Sequence, residues 1–302
     1  MKVLIATDCS ENAKHAADFL HDLPITEPLA LTFVTALGDP YGASPESTQQ
    51  WIPDVLAQER TRAESHHEDL AQMFADRCDS IERVCRPGHP VKVILGIAEE
   101  IDADLIVMGA QGHSFIGRLL IGSVSDSVAT HAKCSVLIVR PETDEETEPS
   151  EPCNKVMNGY DRSHASRHAV DSLLAHAWNT KTSVDLISIA PMYDYLLGSG
   201  LSVAAIQNEE RIFEEMKRSG KEMEEAISDE VCDVQSIVIH DQRIGDAIVE
   251  TADKESSDLV VVGDSGHSLL DDFLLGSTSK YVLRHATKSV WISRLHRDGN
   301  GD

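Results

Sequence analysis

Asp104-Leu-Ile-Val-Met-Gly-Ala-Gln-Gly-His-Ser114 and Asp258-Leu-Val-Val-Val-Gly-Asp-Ser-Gly-His-Ser268 are the same stretch written twice, 154 residues apart. Each has an acidic residue, four apolar residues, a glycine, and a second glycine three positions on. The match runs without a gap to Arg140 and Arg294. Of the 37 paired positions 18 are identical, where average composition would give only a few by chance. Gly122-Ser123 answers Gly276-Ser277, His131-Ala132 answers His285-Ala286, and Ser135-Val136 answers Ser289-Val290. Near the copy starts, Asp8-Cys9-Ser10 answers Asp161-Arg162-Ser163 at an offset of 153. A period this long marks a duplicated domain and not a solenoid of short repeats.

Between the copies runs Pro141-Glu-Thr-Asp-Glu-Glu-Thr-Glu-Pro-Ser-Glu-Pro152, with six carboxylates, three prolines and no apolar side chain. Such a segment repels itself and has nothing to bury, so it reads as an extended linker. The expected division is a first copy over residues 1–140, a linker over 141–152 and a second copy over 153–302. Each copy alternates short apolar runs with longer mixed stretches. Copy one reads as strands at Lys2–Thr7, Leu29–Thr35, Ile81–Arg86, Leu105–Gly109 and Ser135–Val139. Its helices read as Asn12–Leu20, Val55–Arg77, Val91–Ile101 and one from Ser123. Copy two repeats the strands at Lys155–Tyr160, Ser183–Ala190, Val234–His240, Leu259–Gly263 and Ser289–Ser293. Continuous apolar strands separated by helices imply parallel sheets covered on both faces. Right-handed crossovers then give an α/β fold: two doubly wound, parallel, five-stranded, Rossmann-like sheets in tandem.

Composition narrows the class of function. Asp plus Glu is 51 against 26 Lys plus Arg, a formal net charge of −25. A surface of that sign repels the phosphates of nucleic acids and of anionic membranes. It also suits a salty cytoplasm, where ionic strength screens self-repulsion. No apolar run approaches the ~20 residues of a membrane-spanning helix. The N-terminus reads as a first strand and not as a leader peptide. Six scattered cysteines without a C-x-x-C pair suggest reduced, mostly buried thiols and a cytoplasmic address.

In a doubly wound sheet, ligands sit outside the carboxyl ends of the strands, where the strand order reverses. The glycines fall there: Gly109-x2-Gly112-x9-Gly122-Ser123 and, with identical spacing, Gly263-x2-Gly266-x9-Gly276-Ser277. Glycine lets the backbone turn tightly and approach a ligand. The closing Gly-Ser opens a helix whose free N–H groups favour phosphate oxygens. The plainer alternative is turn punctuation, although identical spacing within a diverged duplication weighs against it. Neither a Walker-type loop nor G-x-G-x-x-G is present.

This pattern, with an Asp directly after the first strand, resembles the ATP-binding type of the universal stress protein family. Gly122-Ser-Val-Ser-Asp-Ser-Val128 leading to Ser135-Val-Leu-Ile-Val139 is similar to that family in detail, and the likeness spans both copies. The resemblance implies that Asp8 and Asp161 contact the ribose side of the nucleotide. It implies that the backbone at Val34 and Ile189 reads adenine. Gly109, Gly112, Gly122 and Ser123, like Gly263, Gly266, Gly276 and Ser277, would cradle ribose and phosphates. Each Asp could equally serve as a helix cap or turn residue. The implied ligand is ATP, with Mg2+. The implied action is a nucleotide-dependent switch of conformation or association in a stress response, not rapid catalysis. The implied partners are adenine nucleotide and further copies of the chain as a homo-oligomer. Ser135–Val139 and Ser289–Ser293 could also pair within one chain as a pseudo-dimer. The alternatives are a slow ATPase and an ATP-independent dimeric scaffold with relic loops.

The copies are not equivalent. Copy one has Gly88-His89-Pro90 before its third helix, resembling the family's G-x-P turn, where copy two has Gln242-Arg243-Ile244. Gly117-Arg118 faces Asp271-Asp272, and Asp264 adds another carboxylate. Near a triphosphate these charges favour copy one. His113 and His267 sit at matching loop positions but read as backbone-bonded residues before they read as proton donors. His66-His67 point in different directions on one helix, and Trp51 reads as a packing anchor.

Overall fold

The computed structural model of the chain describes residues 1–25, 27–38, 52–112, 121–141, 154–175, 182–191, 203–264 and 275–295. It divides into two compact units, carried chiefly by Met1–Thr143 and Asp144–Leu295. The first unit has strands β1 (Lys2–Ala6), β2 (Leu29–Leu37), β3 (Cys78–Pro87), β4 (Leu105–Gly109) and β5 (Ser135–Val139). Between them run helices α1 (Glu11–Asp22), α2 (Ile52–Met73), α3 (Pro90–Glu100) and α4 (Ser123–His131). The second unit has β6 (Lys155–Gly159), α5 (His164–Ala175), β7 (Ser183–Pro191), α6 (Val203–Ile227) and β8 (Asp233–Asp241). It continues with α7 (Ile244–Lys254), β9 (Leu259–Gly263), α8 (Ser277–His285) and β10 (Ser289–Ser293).

Within the first unit the strands lie in the order β3-β2-β1-β4-β5, and within the second β8-β7-β6-β9-β10. Neighbours in each are parallel. Each unit therefore has the expected α/β arrangement of five parallel strands with alternating helices. In the first, order reverses between β1 and β4, the place where such sheets open a crevice. Every residue of β4, β5, β9 and β10 is buried. This is why the interiors of those runs are continuously apolar and do not alternate, with serine only at strand ends. Helix α1 turns Ala13, Ala16, Ala17 and Leu20 inward, the spacing of one helical face.

The backbone repeats its unusual conformations as faithfully as its sequence. Cys9 (φ 61°) and Arg162 (φ 67°) are left-handed, as are Asp102 (φ 55°) and Ser256 (φ 56°). The second pair ends α3 and α7. There the amides of Ala103 and Ser257 donate five residues back, to Ala98 and Ala252, both at 2.9 Å, in a Schellman-type stop. The repeated acidic residues before β4 and β9 are structural. Asp104 Oδ2 accepts from the Lys2 amide at 2.7 Å. Asp258 Oδ2 accepts from the amides of Asn154 and Lys155, both at 2.9 Å.

Three details differ from the sequence reading. Helix α2 stops at Met73, and residues 74–77 form turns before β3 begins at Cys78. Strand β3 is longer than expected, and as an edge strand it is only partly covered. The cysteines are not mostly buried. Among the described residues they are free thiols, with Cys134 buried, Cys9, Cys78 and Cys85 half-buried, and Cys232 exposed. Cys78 and Cys85 sit on β3, whose edge position explains their exposure. Partial burial still pushes the Cys78 thiol up to about 11. The segments holding Trp51, the acidic linker from 142 on, and residues 113–120 and 265–274 lie outside the described residues. Among the described residues no helix is long and apolar enough to cross a membrane.

Candidate functional site

At the switch point of the first sheet lies a cavity of about 360 Å3, within the range of small-ligand sites. The carboxyl ends of β1, β2 and β4 form its floor, the start of α4 one wall, and α3 another. All six residues expected of copy one line it: Asp8, Val34, Gly109, Gly112, Gly122 and Ser123. Residues the sequence did not point to complete it. Ala36, Pro90, Ile94 and Met108 supply an apolar wall, and Gln111 and Ser125 supply polar groups.

The Asp after β1 holds two positions at once. Asp8 Oδ1 accepts from the Ser10 amide at 3.1 Å, closing a turn, and Ser10 Oγ accepts from the Ala13 amide at 3.2 Å to start α1. The helix cap is thus the serine, and the Asp is the turn residue. Its other oxygen, Oδ2, lies against Gly112, where a Cβ would run into it. Asp161 and Ser163 repeat the turn in the second unit at 2.9 Å, and Ser163 Oγ accepts from the Ser166 amide at 3.1 Å.

The glycines differ in purpose. A Cβ on Gly109 would stand 2.9 Å from the Asn12 carbonyl oxygen. One on Gly263 would stand 2.8 Å from the Ala165 carbonyl carbon, the equivalent place. These two let α1 and α5 pack against the strand ends. Gly122 is the N-cap of α4 in extended conformation, with no side-chain cap bond. Its own amide donates to the Ala110 carbonyl at 2.7 Å, so it offers a ligand a bare backbone surface and not an N–H. The amides that follow it open the helix and carry the positive end of its dipole. Buried Ser125 donates its hydroxyl to the Gly109 carbonyl at 2.9 Å, and Ser279 to Gly263 at 2.6 Å. The sequence signal for this pair was present, since Ser125 and Ser279 are identical in the duplication.

Sheet register corrects one correspondence. Ala6 pairs with Val34, and Gly159, at the place of Ala6, pairs with Ile187. The amides of Thr7 and Tyr160 donate to the carbonyls of Val34 and Ile187, at 2.9 and 2.8 Å. Ile187, not Ile189, is therefore the partner of Val34. Ile189 falls two residues further along, at the place of Ala36. The Val34 carbonyl has one lone pair engaged by Thr7, which leaves the other for a ligand.

The second unit is remodelled around the same frame. Ile189 replaces a cavity-lining alanine, and buried Tyr160 replaces Thr7, its hydroxyl 3.3 Å from Ser219 Oγ. Gly88 sits at φ 141°, a value that favours glycine, whereas its counterpart Gln242 has no positive φ. The turn before the third helix therefore differs, as its sequence suggested. Asp264 is not an isolated charge: its Oδ2 lies 3.9 Å from Nε of buried Arg294. Its backbone takes the Ala110 role, with its carbonyl accepting from the Gly276 amide at 2.7 Å. Ser277 opens α8 as Ser123 opens α4. Gly266, His113, His267, Gly117, Arg118, Asp271 and Asp272 lie outside the described residues.

Along α2 runs a shallower, open depression of about 630 Å3 beside Cys9, lined by Thr61, Arg62, Ser65 and His66. It holds none of the expected site residues. Arg62 Nη2 donates to the Cys9 carbonyl at 3.1 Å. Burial lowers the His66 pKa and raises that of the Cys9 thiol. His67, behind it, bonds Thr35 Oγ1 at 2.9 Å and is fully buried.

Comparison with known proteins gives a consistent answer. The profile of the Universal stress protein family matches residues 1–140 and again residues 153–294. A universal stress protein of Mycobacterium tuberculosis is 29% identical over 232 residues, 73% of this chain and 71% of that one. One of Methanocaldococcus jannaschii is 32% identical over 143 residues, 46% of this chain and 81% of its own length. Among solved structures, a universal stress protein of Archaeoglobus fulgidus superposes with a TM-score of 0.66. It shares 20% identity and covers 97% of this chain and 96% of its own, a likeness of fold.

Proposed function

Because the chain belongs to the universal stress protein family, we propose that its first unit binds ATP and uses the bound nucleotide as a switch of conformation or self-association. The observation that carries this reading is the convergence of Asp8, Val34, Gly109, Gly112, Gly122 and Ser123 on one cavity at the switch point of the sheet. The parts suit the ligand. Ala36, Ile94 and Met108 form an apolar slot for a base, and the Val34 carbonyl can accept from an exocyclic amine. Asp8 Oδ2 can accept from ribose hydroxyls. The first amides of α4, with the Ser123 hydroxyl, face where phosphates would lie. Mg2+ would arrive on the triphosphate, which supplies part of its oxygen shell.

Binding without rapid turnover fits this lining. Among the described lining residues, backbone amides, glycine faces and hydroxyls hold a phosphate but are poor general bases near neutral pH, and Asp8, on the ribose side in this reading, has one oxygen held in its turn. The second unit is a weaker adenine site in this reading, because Ile189 occupies the place of Ala36. The alternative of a slow ATPase is separated by single-turnover phosphate release. Calorimetry on the full chain tests the site. Gly122→Val puts a branched side chain 3.3 Å or less from the Ala110 carbonyl oxygen, beside the helix start. Affinity for ATP should fall at least tenfold, about 1.4 kcal/mol. A folded Gly122→Val chain with unchanged affinity rules the site out.

A further inference from the structure

We propose that Ser125 is a positioning residue that sets how tightly the first unit holds the phosphate end of its nucleotide. This role rests on the nucleotide reading of the cavity and adds a residue to it.

Three bonds lock the corner between β4 and α4. The Ala110 amide donates to the Val139 carbonyl at 2.7 Å, the Gly122 amide donates to the Ala110 carbonyl at 2.7 Å, and Ser125 Oγ donates to the Gly109 carbonyl at 2.9 Å. The first two fasten the ends of the intervening segment. The third ties the body of the helix to the strand. Ser125 is the third residue of α4, and its side chain is 4% exposed. A serine there could fold back to cap its own helix and cover the amides. Its hydroxyl is turned to the strand instead, and the amides of Ser123 and Val124 stay uncapped by it. The helix start is thereby held at a fixed distance from Gly109 and Gly112, the surfaces that would meet the ligand.

The duplication repeats this corner. In the second unit the same three bonds recur: Asp264 amide to Ser293 carbonyl at 3.0 Å, Gly276 amide to Asp264 carbonyl at 2.7 Å, and Ser279 Oγ to Gly263 carbonyl at 2.6 Å. Around them the side chains have changed. Ala110 has become Asp264, Val124 has become Thr278, and Asp126 has become Lys280. The serine and its bond are the same. Attraction between helix amides and an anion depends on preset distance and direction, so a corner free to drift by a fraction of an ångström loses phosphate affinity before it loses the base.

The experiment is calorimetric titration of the full chain with ATP and, separately, with adenosine, together with urea unfolding. The variants are Ser125→Ala, Ser125→Cys (near in size, a weak donor) and Ser125→Thr, which keeps the hydroxyl. Ser125→Ala should weaken ATP about tenfold, the scale of one buried hydrogen bond, and leave adenosine within about twofold. Ser125→Thr should bring ATP back toward the native value. If Ser125→Ala does not fold, Ser125→Cys must show the same selective loss for ATP. Equal loss of ATP and adenosine, or no loss in a folded variant, overturns the role. A native chain that binds adenosine and ATP normally while the variants behave like it overturns this role alone. A native chain that binds neither overturns the nucleotide reading itself.

Discussion

Replacing Gly112 by alanine adds one methyl group, and the structure says where it goes: into Asp8 Oδ2. Gly112 has no positive φ, so alanine is not barred by backbone conformation. The glycine is needed because the carboxylate lies against it. The added Cβ must push Asp8 off the position from which Oδ2 reaches the cavity, and the turn bond from the Ser10 amide to Oδ1 resists that movement. If Asp8 accepts from a ribose hydroxyl, the loss is that of a hydrogen bond to a charged group, about 1.5–3 kcal/mol. This corresponds to roughly ten- to a hundredfold in Kd. The control is Gly96→Ala in α3, where nothing lies within 4 Å of an added Cβ and alanine favours the helix by about 1 kcal/mol. Calorimetry should show the full loss for Gly112→Ala and none for Gly96→Ala, with both chains folded. A Gly112→Ala affinity within about threefold of native would mean that Asp8 serves only its turn.

Acid should destabilise the first unit through His67. Burial, with His66 and Arg83 nearby, pushes that imidazole down to about 4. The unfolded chain takes up its proton near 6.5, so stability falls as pH drops from 6.5 to about 4, by at most about 3 kcal/mol. The urea midpoint of His67→Gln should fall less over that window; an identical slope removes His67 as the cause. Salt should act in the opposite sense on the whole chain. With a net charge of −25, raising KCl from 0.1 to 1 M shortens the Debye length from about 10 to about 3 Å. The melting temperature should rise despite the screening of surface pairs such as Arg86–Glu100, and a flat or falling curve refutes this. Grafting the second unit's wall into the first, Ala36→Ile, should weaken ATP by at least fivefold while ATP binding to the rest of the chain is unchanged. An unaffected titration would show that the base lies elsewhere.

Much of the frame was legible because burial on both faces leaves an unambiguous trace. Leu105–Gly109 and Ser289–Ser293 were read to the residue, since a fully covered parallel strand shows an unbroken apolar run, here bounded by glycine in the one and by serines in the other. Helix α2 and strand β3 were not. The helix is largely exposed and the strand is an edge, so neither carries a periodicity that marks its limits. The glycine spacing located the cavity floor, but it did not say which glycine serves packing. Gly109 proves to be needed by Asn12 and Gly112 by Asp8. The apolar wall of Ala36, Pro90, Ile94 and Met108 comes from three separate elements, β2, α3 and β4, and only the folded sheet brings it together. Ile189 was misplaced for the same reason. The second strands have diverged too far to align by eye, and hydrogen-bond register alone identifies Ile187 as the equivalent of Val34. Asp264 has buried Arg294 beside it, but Arg140 holds the same place in the first unit, where Ala110 stands for Asp264, so the contrast of one carboxylate between the units remains.

The most direct test of the account is competitive uptake. The purified full chain is incubated with an equimolar mixture of ATP, GTP, CTP and UTP plus Mg2+, freed of unbound ligand, denatured, and its released small molecules are weighed by mass spectrometry. The account predicts ATP enriched over the other three, and lost from the Gly122→Val chain. Nucleotides retained without preference for adenine, or none retained by a folded native chain, would contradict it.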